Sequence, residues 1–408
     1  MNFKEIISYL ASRNLSRYSL DNLEIFVDKV GFVFDIPVIH VTGTNGKGST
    51  VRYISSIYAK AAYKVGSYTS PHRNLLDMIT VDGNKISEQD VENIFNSFFE
   101  DFKKFGLSEF EIQTIICLEF FKRQNIDICV IEVGMGGEID ATNIVTSTVL
   151  SVITKVNMEH GQYLGRSESE IAKNKAGIIK DSSPVLTLHQ NENIELAIRE
   201  VARKKKSQIH FLQEYCDPII QNENITFNYS NLINLKINTL AVYQIENACT
   251  AIEAVRILSN KFPVSEQNIR DGLLSPVLPG RFTVLNEYPN ILIDGAHNPS
   301  GIEVLVKTIV SNGLIIDSVL FAAFKDKNID KMLSYLGTDF SRVILTTFNN
   351  MRARAKDDYF LFAEEYEYNH DFRDILEHYI NTPDKVLLIC GSLDFAYEVI
   401  DYLKSRKK

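Results

Sequence analysis

Residues 36–63 read IPVIHVTGTNGKGSTVRYISSIYAKAAY, an apolar run followed by a glycine-rich loop and then a helical pattern. The helical part places Val51, Ile54 and Ile57 on one face. Glycines let a loop turn its N–H groups toward a phosphate, and the helix that follows adds a favourable dipole. A solvated glycine-rich turn is the alternative, but the flanking strand and helix favour a phosphate loop.

The residues of the loop indicate which phosphate ligand it binds. Lys47 can neutralise β- and γ-phosphates, and Ser49 or Thr50 follows with a hydroxyl that can reach Mg²⁺. The strict Walker pattern is not met, because Val41 occupies its first glycine position and Gly48 separates Lys47 from Ser49. A guanine-specific switch is disfavoured, since the chain has no N-K-x-D stretch. The loop therefore indicates ATP.

Bulk composition limits the class of protein. The chain has 408 residues, 45% hydrophobic and 23% charged, which is long enough for two domains. Its five cysteines are scattered without a C-x-x-C pair, which argues for reduced thiols and against a zinc site. The net charge of -9 argues against a general nucleic-acid surface. The first residues lack an apolar core followed by a small-residue cleavage site, and no later stretch approaches about 18 apolar residues. We therefore expect a cytoplasmic protein that binds no membrane.

Apolar runs alternate with helical patterns, which predicts an α/β fold built on a doubly wound, mostly parallel sheet. Helices are predicted at 243–258 and 265–274, and the stretch 183–240 predicts a peripheral sheet around one helix. In the first part of the chain the predicted strands are residues 36–41, 64–69, 126–133 and 148–156.

A second series of apolar strand patterns separated by helical segments begins after Leu278-Pro279-Gly280, where proline and glycine interrupt regular structure. Its predicted strands are NILID, SVLFAAF, RVILTTF and KVLLICGS. We therefore expect a phosphate-loop domain over residues 1–280 and a smaller Rossmann-like α/β domain over residues 281–408.

Ligands of doubly wound sheets collect beyond the carboxyl ends of strands, and three predicted strands end in polar side chains. These are Ser70-Pro71-His72, Glu132 and Glu159-His160. A carboxylate such as Glu132 is costly to bury unpaired, and oxygen ligands with one imidazole suit Mg²⁺ or Mn²⁺. Capping or turn roles are the alternative for each residue alone, whereas the three together favour a metal site.

Five segments are specific enough to compare with a known family: GTNGKGS at 43–49, SPH at 70–72, EVGMGGEIDATN at 132–143, NKAGIIK at 174–180 and DGAHNP at 294–299. Together they resemble the folylpolyglutamate synthase and dihydrofolate synthase family of the Mur ligase superfamily. The loop alone leaves cell-wall amino-acid ligases open, and the SPH and DGAHNP segments favour the folate branch. The resemblance implies an ATP-dependent ligase that adds L-glutamate to a folate carboxylate through an acyl phosphate.

The resemblance also implies roles for individual residues. It implies a Mg²⁺ site. Lys175 matches a lysine that reacts with CO₂ in the family to become a carbamate. The alternative is that Lys175 stays an ammonium and binds a phosphate. The implied metal ligands are Ser70, Glu132, His160 and Lys175. The implied ATP contacts are Thr44, Asn45, Gly46, Lys47, Gly48, Ser49, Asn247, Arg281 and Asp294. The implied substrate contacts are His72, Phe110 and Asp140, and the implied catalytic residues are Lys47, Lys175, His297 and Ser392.

Three of these residues have a structural role as the alternative to ligand binding. Phe110 can pack in the core, Asn247 can lie on a helix surface and Ser392 can cap a helix. The chain departs from the family pattern at Glu159, Asn174 and Tyr243, where Asp, Glu and His are usual.

We expect a monomer whose partners are small molecules: ATP, Mg²⁺, L-glutamate and a pteridine acceptor. The sequence leaves open whether that acceptor is tetrahydrofolate and its polyglutamates, dihydropteroate, or both. A nucleotide-binding switch or regulatory ATPase is the alternative from a different class. A ligase differs from it by hydrolysing little ATP until glutamate and acceptor are both present.

Overall fold

The computed structural model describes residues 1–13, 19–69, 74–159, 161–221, 224–275, 278–285 and 287–406. The chain forms two compact units. The first comprises Met1–Asp217, Phe227–Ile237 and Ile245–Ser275, and the second comprises Pro218–Thr226, Asn238–Gln244 and Pro276–Lys408. Within the described ranges, no helix is both long and apolar enough to cross a bilayer.

The first unit is built on an eight-stranded sheet in the order β4-β3-β2-β5-β1-β6-β7-β8. The β2–β3 and β3–β4 pairs are antiparallel and the other pairs are parallel. The strands are β1 (Val38–Thr42), β2 (Val65–Tyr68), β3 (Ile79–Val81), β4 (Asn84–Lys85), β5 (Ile128–Glu132), β6 (Thr148–Ile153), β7 (Val185–Thr187) and β8 (Ile209–Phe211). Every residue of β1 and β5 is buried, as expected for central parallel strands.

Helices cover this sheet, and their ends follow sequence signals. A capping box begins α6, where the Ser108 hydroxyl accepts from the Glu111 N–H and the Glu111 carboxylate accepts from the Ser108 N–H. The helices are α1 (Phe3–Ser12), α2 (Asp21–Val30), α3 (Lys47–Lys60), α4 (Leu75–Met78), α5 (Glu88–Phe105), α6 (Glu109–Gln124), α7 (Gly161–Leu164), α8 (Glu168–Ala176), α9 (Glu192–Lys204), α10 (Gln244–Ile257) and α11 (Glu266–Leu273), with a 3-10 helix at Ala141–Ile144.

The stretch 183–240 differs in part from the predicted peripheral sheet. Strands β7 and β8 extend the main sheet at its edge, because each pairs in parallel with its neighbour. A separate three-stranded sheet follows in the order β11-β10-β9. Its strands are β9 (Tyr215–Gln221), β10 (Asn224–Tyr229) and β11 (Leu232–Ile237).

The second unit is a six-stranded sheet in the order β12-β13-β17-β14-β15-β16, parallel except for the β12–β13 pair. Its strands are β12 (Thr283–Leu285), β13 (Tyr288–Ile293), β14 (Ser318–Phe321), β15 (Val343–Leu345), β16 (Glu367–Tyr368) and β17 (Leu387–Cys390). Its helices are α12 (Pro299–Ser311), α13 (Ile329–Asp339), α14 (Phe372–Ile380) and α15 (Leu393–Ser405), with a 3-10 helix at Lys356–Phe362. The predicted α/β class is confirmed in both units.

Candidate active site

The phosphate-loop segment joins β1 to α3, and two of its glycines have backbone conformations that favour glycine. Gly43 has a φ of 149° and Gly46 has a φ of 91°. A Cβ atom on Gly43 would lie 1.9 Å from Thr154 Oγ1, and one on Gly46 would lie 2.4 Å from Asn247 Oδ1. Both positions therefore require glycine, and the Asn247 amide lies directly against the loop.

Protein contacts fix the shape of the loop. The Thr154 hydroxyl lies 3.1 Å from the Thr42 carbonyl oxygen and 2.8 Å from that of Asn45, and it donates to this pair. The Thr44 N–H donates to the Lys155 carbonyl at 2.6 Å. The segment after β6 therefore holds the loop in position at the carboxyl end of β1.

Helix α3 begins immediately after the loop, at Lys47. The bond from the Thr50 N–H to the Gly46 carbonyl, 2.9 Å long, starts the helical hydrogen-bond ladder. The N–H groups of the first turn, which includes Gly48 and Ser49, therefore point out of the positive end of the helix. This arrangement suits an anion such as a phosphate.

Two lysine side chains converge on the Gly43 carbonyl oxygen, Lys47 with its Nζ at 3.1 Å and Lys175 with its Nζ at 2.9 Å. Lys175 is 1% exposed, and its Nζ also contacts Glu159 Oε1 at 2.8 Å. Burial lowers the pKa of Lys175; Glu159 opposes this effect, and the charge of Lys47 adds to it. Two cationic groups therefore lie at the phosphate loop, and Glu159 is the acidic partner of the buried one.

Glu132 is the last residue of β5, and it pairs in register with Val41 of β1. Its side chain is buried, and a carboxylate at that strand end fits a hard cation such as Mg²⁺. No three His, Cys, Asp or Glu side chains in the described part of the chain form a metal-binding group. Ser70, His72 and His160 lie outside the described residues, so their roles stay predictions.

The predicted pterin contacts Phe110 and Asp140 meet at Gly134, just beyond β5. A Cβ atom on Gly134 would lie 2.6 Å from Phe110 Cζ and 3.1 Å from Asp140 Oδ2. The Phe110 ring is stacked with Tyr68 at a centroid distance of 6.3 Å. Burial raises the pKa of Asp140, and its hydrogen bonds, including one from the Met135 N–H, oppose that rise. An aromatic ring and a buried carboxyl group are therefore neighbours on the loop that follows Glu132.

In the second unit, Asp294 follows β13 and accepts hydrogen bonds from three donors. The Tyr243 hydroxyl and the Phe282 N–H donate to Oδ2 at 2.6 and 2.9 Å, and the Ala296 N–H donates to Oδ1 at 2.8 Å. Burial raises the pKa of Asp294, while the Tyr243 bond and the charge of Arg281 oppose that rise. Tyr243, where the family usually has His, therefore anchors a predicted nucleotide contact, and Arg281 lies nearby.

His297 and Ser392 follow β13 and β17, which are adjacent parallel strands. His297 Nδ1 lies 2.8 Å from the Gly295 carbonyl oxygen and therefore carries a proton. Ser392 occupies the N-cap position of α15 but makes no capping bond, and its buried Oγ has no partner among the described residues. A buried hydroxyl without a partner is uncommon, and this favours a ligand-binding role for Ser392 over a capping role.

Comparisons with known proteins agree with this geometry. The Mur ligase middle domain family matches residues 41–255, and the Mur ligase glutamate ligase domain matches residues 280–393. The dihydrofolate synthase/folylpolyglutamate synthase of Bacillus subtilis strain 168 is 31% identical over 393 residues, covering 90% of this chain and 91% of the relative. The chain belongs to this folate-ligase family.

Two further proteins show the range of the folate-ligase family. Folylpolyglutamate synthase of Lacticaseibacillus casei is 30% identical over 379 residues, covering 88% of this chain and 88% of the relative. The solved structure of Escherichia coli FolC in complex with DHPP and ADP has a TM-score of 0.89 and 27% identity, covering 100% of this chain and 99% of that chain. The resemblance predicted from the sequence is thus confirmed.

Sequence reasoning missed several residues that shape this folate-ligase site. Thr154, which packs against Gly43, has no signal beyond its place at the end of a strand. His40 and Thr142 form a buried contact, Nε2 to Oγ1, at 2.8 Å. They are 102 residues apart in the chain, and no local pattern relates them. Glu159, which the sequence placed at a polar strand end without a role of its own, is the ion-pair partner of Lys175.

Proposed function

We propose that this chain is an ATP-dependent ligase that joins L-glutamate to the carboxylate of a folate. The observation that carries this proposal is the convergence of Lys47 and Lys175 on one carbonyl of a glycine loop that opens α3. Positive side chains beside the N-terminus of a helix form an environment suited to a polyphosphate. Membership of the folate-ligase family supplies the reaction in which such a polyphosphate is used.

Amide formation requires that one oxygen of the acceptor carboxylate become part of a leaving group. A carboxylate oxygen attacks the γ-phosphorus of ATP, the bond from that phosphorus to the bridging oxygen breaks, and ADP leaves. The glutamate amine then attacks the acyl carbon of the acyl phosphate, inorganic phosphate departs, and the nitrogen loses a proton. Phosphoryl transfer is promoted chiefly by positioning and by neutralising charge.

The first unit supplies those functions for ATP. Lys47 and the first-turn amides of α3 neutralise and orient the phosphates, with Thr44, Asn45, Gly46, Gly48 and Ser49 forming the loop around them. Asn247 contacts adenine through its side-chain amide, which lies against Gly46. For the second unit, the family resemblance is our ground for proposing Arg281 and Asp294 as nucleotide contacts, and within that unit Asp294 is held by Tyr243.

Magnesium is the ion that we propose for Glu132, together with Ser70 and His160. When bound, it neutralises the charge that develops on the phosphates. We also propose that Lys175 reacts with CO₂: its neutral amine nitrogen bonds to the carbon and one proton is released, giving an anionic carbamate. Burial of Lys175 supports this because it disfavours the ammonium form, whereas the ion pair with Glu159 supports the ammonium.

The acceptor and glutamate contacts complete the proposal. Phe110 and Asp140, neighbours at Gly134, contact the pterin together with His72. In the second unit, His297 and Ser392 act on glutamate and on the transferred phosphoryl group. The buried Ser392 Oγ, which has no hydrogen-bond partner among the described residues, supports that role.

The acceptor is the open part of the proposal. The Bacillus subtilis relative is named as both dihydrofolate synthase and folylpolyglutamate synthase, and the Lacticaseibacillus casei relative as folylpolyglutamate synthase. We propose tetrahydrofolate and its polyglutamates as acceptors, with dihydropteroate as a second. Incorporation of radiolabelled glutamate, measured separately with each acceptor and ATP, tests this. ATP hydrolysis that is indifferent to glutamate and to both acceptors would instead identify an ATPase without ligase activity.

A further inference from the structure

Two side chains on one face of β1 form hydrogen bonds with the segment that follows β5. His40 and Thr42 are two residues apart in β1, so their side chains lie on the same side of the sheet. The Thr42 hydroxyl donates to the Gly136 carbonyl at 2.5 Å. His40 Nε2 lies 2.8 Å from the hydroxyl oxygen of Thr142.

The contact from His40 continues to Asp140. The Thr142 hydroxyl and the Thr142 N–H both donate to Asp140 Oδ1, at 2.6 and 3.0 Å. The Met135 N–H donates to the other carboxylate oxygen at 2.8 Å. One buried chain of hydrogen bonds therefore runs from the central strand through Thr142 and Asp140 to the loop beside Phe110.

Each hydrogen bond between His40 and Asp140 has a defined donor. The Thr142 hydroxyl has one proton, and it goes to the Asp140 carboxylate, which accepts but does not donate. His40 must then donate from Nε2, which makes it the neutral Nε2–H tautomer. His40 Nδ1 is buried and has no partner among the described residues, so a second proton there would have no acceptor. Burial and the nearby charge of Lys180 accordingly lower the pKa of His40 to about 3.

We propose that His40 is a positioning residue for the folate acceptor, acting through Thr142 to hold Asp140 and the loop at Gly134. This inference rests on the proposed function, because it assigns that loop to the acceptor. His40 itself does not contact the reacting atoms. Its donor fixes the carboxylate that the pterin meets, and it does so from the same strand that leads into the phosphate loop.

The test compares acceptor and nucleotide kinetics in variants of His40. His40→Leu removes the donor, whereas the Nε2 amide of His40→Gln can replace it. We expect His40→Leu to raise the KM for the pteridine acceptor about tenfold, the effect of one lost hydrogen bond. The KM for ATP should change less than about twofold, and His40→Gln should restore most of the acceptor affinity. Equal increases in both KM values would overturn the proposal, since a structural role would disturb the phosphate loop as well.

Thr142→Val is a second variant, useful if His40→Leu does not fold. It removes the hydroxyl at constant shape and should reproduce the acceptor defect, while Thr142→Ser should not. The matched control is Thr148→Val in β6, a buried threonine whose hydroxyl has no partner among the described residues. An acceptor defect as large in Thr148→Val as in Thr142→Val would refute the role of the hydrogen-bond chain.

Binding of folic acid, measured by calorimetry without ATP or glutamate, separates this inference from the proposed function. If the wild-type chain binds folic acid but forms no amide, the proposed ligase reaction fails while the positioning role is still measured. We expect the Kd for folic acid to rise about tenfold in His40→Leu and in Thr142→Val. An unchanged Kd in both folded variants would contradict the proposal.

Discussion

Replacing Gly43 with alanine should destabilise the first unit, and part of that loss should come from displacing the hydroxyl of Thr154. The new Cβ would stand 1.9 Å from Thr154 Oγ1, at a backbone φ of 149°. Holding a non-glycine residue in a sparsely populated conformation costs about 1–3 kcal/mol. Displacing the Thr154 hydroxyl also loses the hydrogen bond that it shares between two carbonyls, about 1 kcal/mol net. We expect Gly43→Ala to lower the free energy of unfolding by about 3 kcal/mol.

Thr154→Ala separates the two contributions. Alone it loses the same hydroxyl bond and a buried methyl group, about 2 kcal/mol in total. In the double variant the hydroxyl bond is lost once rather than twice, so its stability should exceed the additive expectation by about 1 kcal/mol. Thr154→Ser, which keeps the hydroxyl, is the control. In that background Gly43→Ala should lower the free energy of unfolding by the same amount as in the wild-type chain.

Urea unfolding followed by far-UV circular dichroism measures each free energy, and an unchanged m value shows that the same transition is compared. The KM for ATP reports in parallel whether the phosphate loop is displaced. Additive effects of Gly43→Ala and Thr154→Ala, within about 0.3 kcal/mol, would refute the reasoning. They would mean that the alanine is accommodated without moving the Thr154 hydroxyl.

The remaining predictions concern single side chains. Lys47→Ala should lower ligation by at least about 100-fold with a small change in Tm, measured by glutamate incorporation, and Lys60→Ala at the exposed end of the same helix should retain activity. Lys175→Ala should be rescued in part by formate if a carbamate acts there; no rescue would favour an ammonium, and exposed Lys173→Ala is the control. Tyr243→Phe removes the 2.6 Å donor to Asp294 and should raise the KM for ATP about tenfold, whereas Tyr335→Phe should not. Because the pKa of His40 is about 3 in the folded chain, below its ordinary 6.5, stability should fall as pH decreases from 6.5 toward 3. The slope is at most about 1.4 kcal/mol per pH unit and should flatten in His40→Gln, measured by urea unfolding.

The parts of the fold that depend on local pattern could be predicted from the sequence. The strand, loop and helix at residues 36–63 appear as β1 and α3, because burial, glycine and helical periodicity act over a few residues. The addition of β7 and β8 to the edge of the main sheet was not predicted. Which sheet a short strand joins depends on pairing with distant residues, and short apolar runs carry little information about it.

The candidate site shows the same limit. The family resemblance implied Phe110 and Asp140 as acceptor contacts, and the structure places both at Gly134. The hydrogen bonds from His40 through Thr142 to Asp140 could not be predicted from the sequence, since an isolated histidine within an apolar strand has no distinctive pattern. Tyr243 could be recognised only as a departure from the family. Its bond to Asp294 spans 51 residues of sequence and required the fold.

The discontinuous second unit has a consequence for cutting the chain into fragments. Residues 238–244 supply Ala241, buried in the apolar core of that unit, and Leu240 and Tyr243, which pack against it. A recombinant piece beginning at residue 281 would lack all three residues. It would therefore also lack the hydrogen bond that the Tyr243 hydroxyl donates to Asp294. Proteolytic nicking near residue 280 should therefore yield pieces that stay bound to each other, whereas the C-terminal piece made alone should aggregate. Residues 281–408 should therefore become soluble when they are co-expressed with residues 1–280, which supply the missing segment.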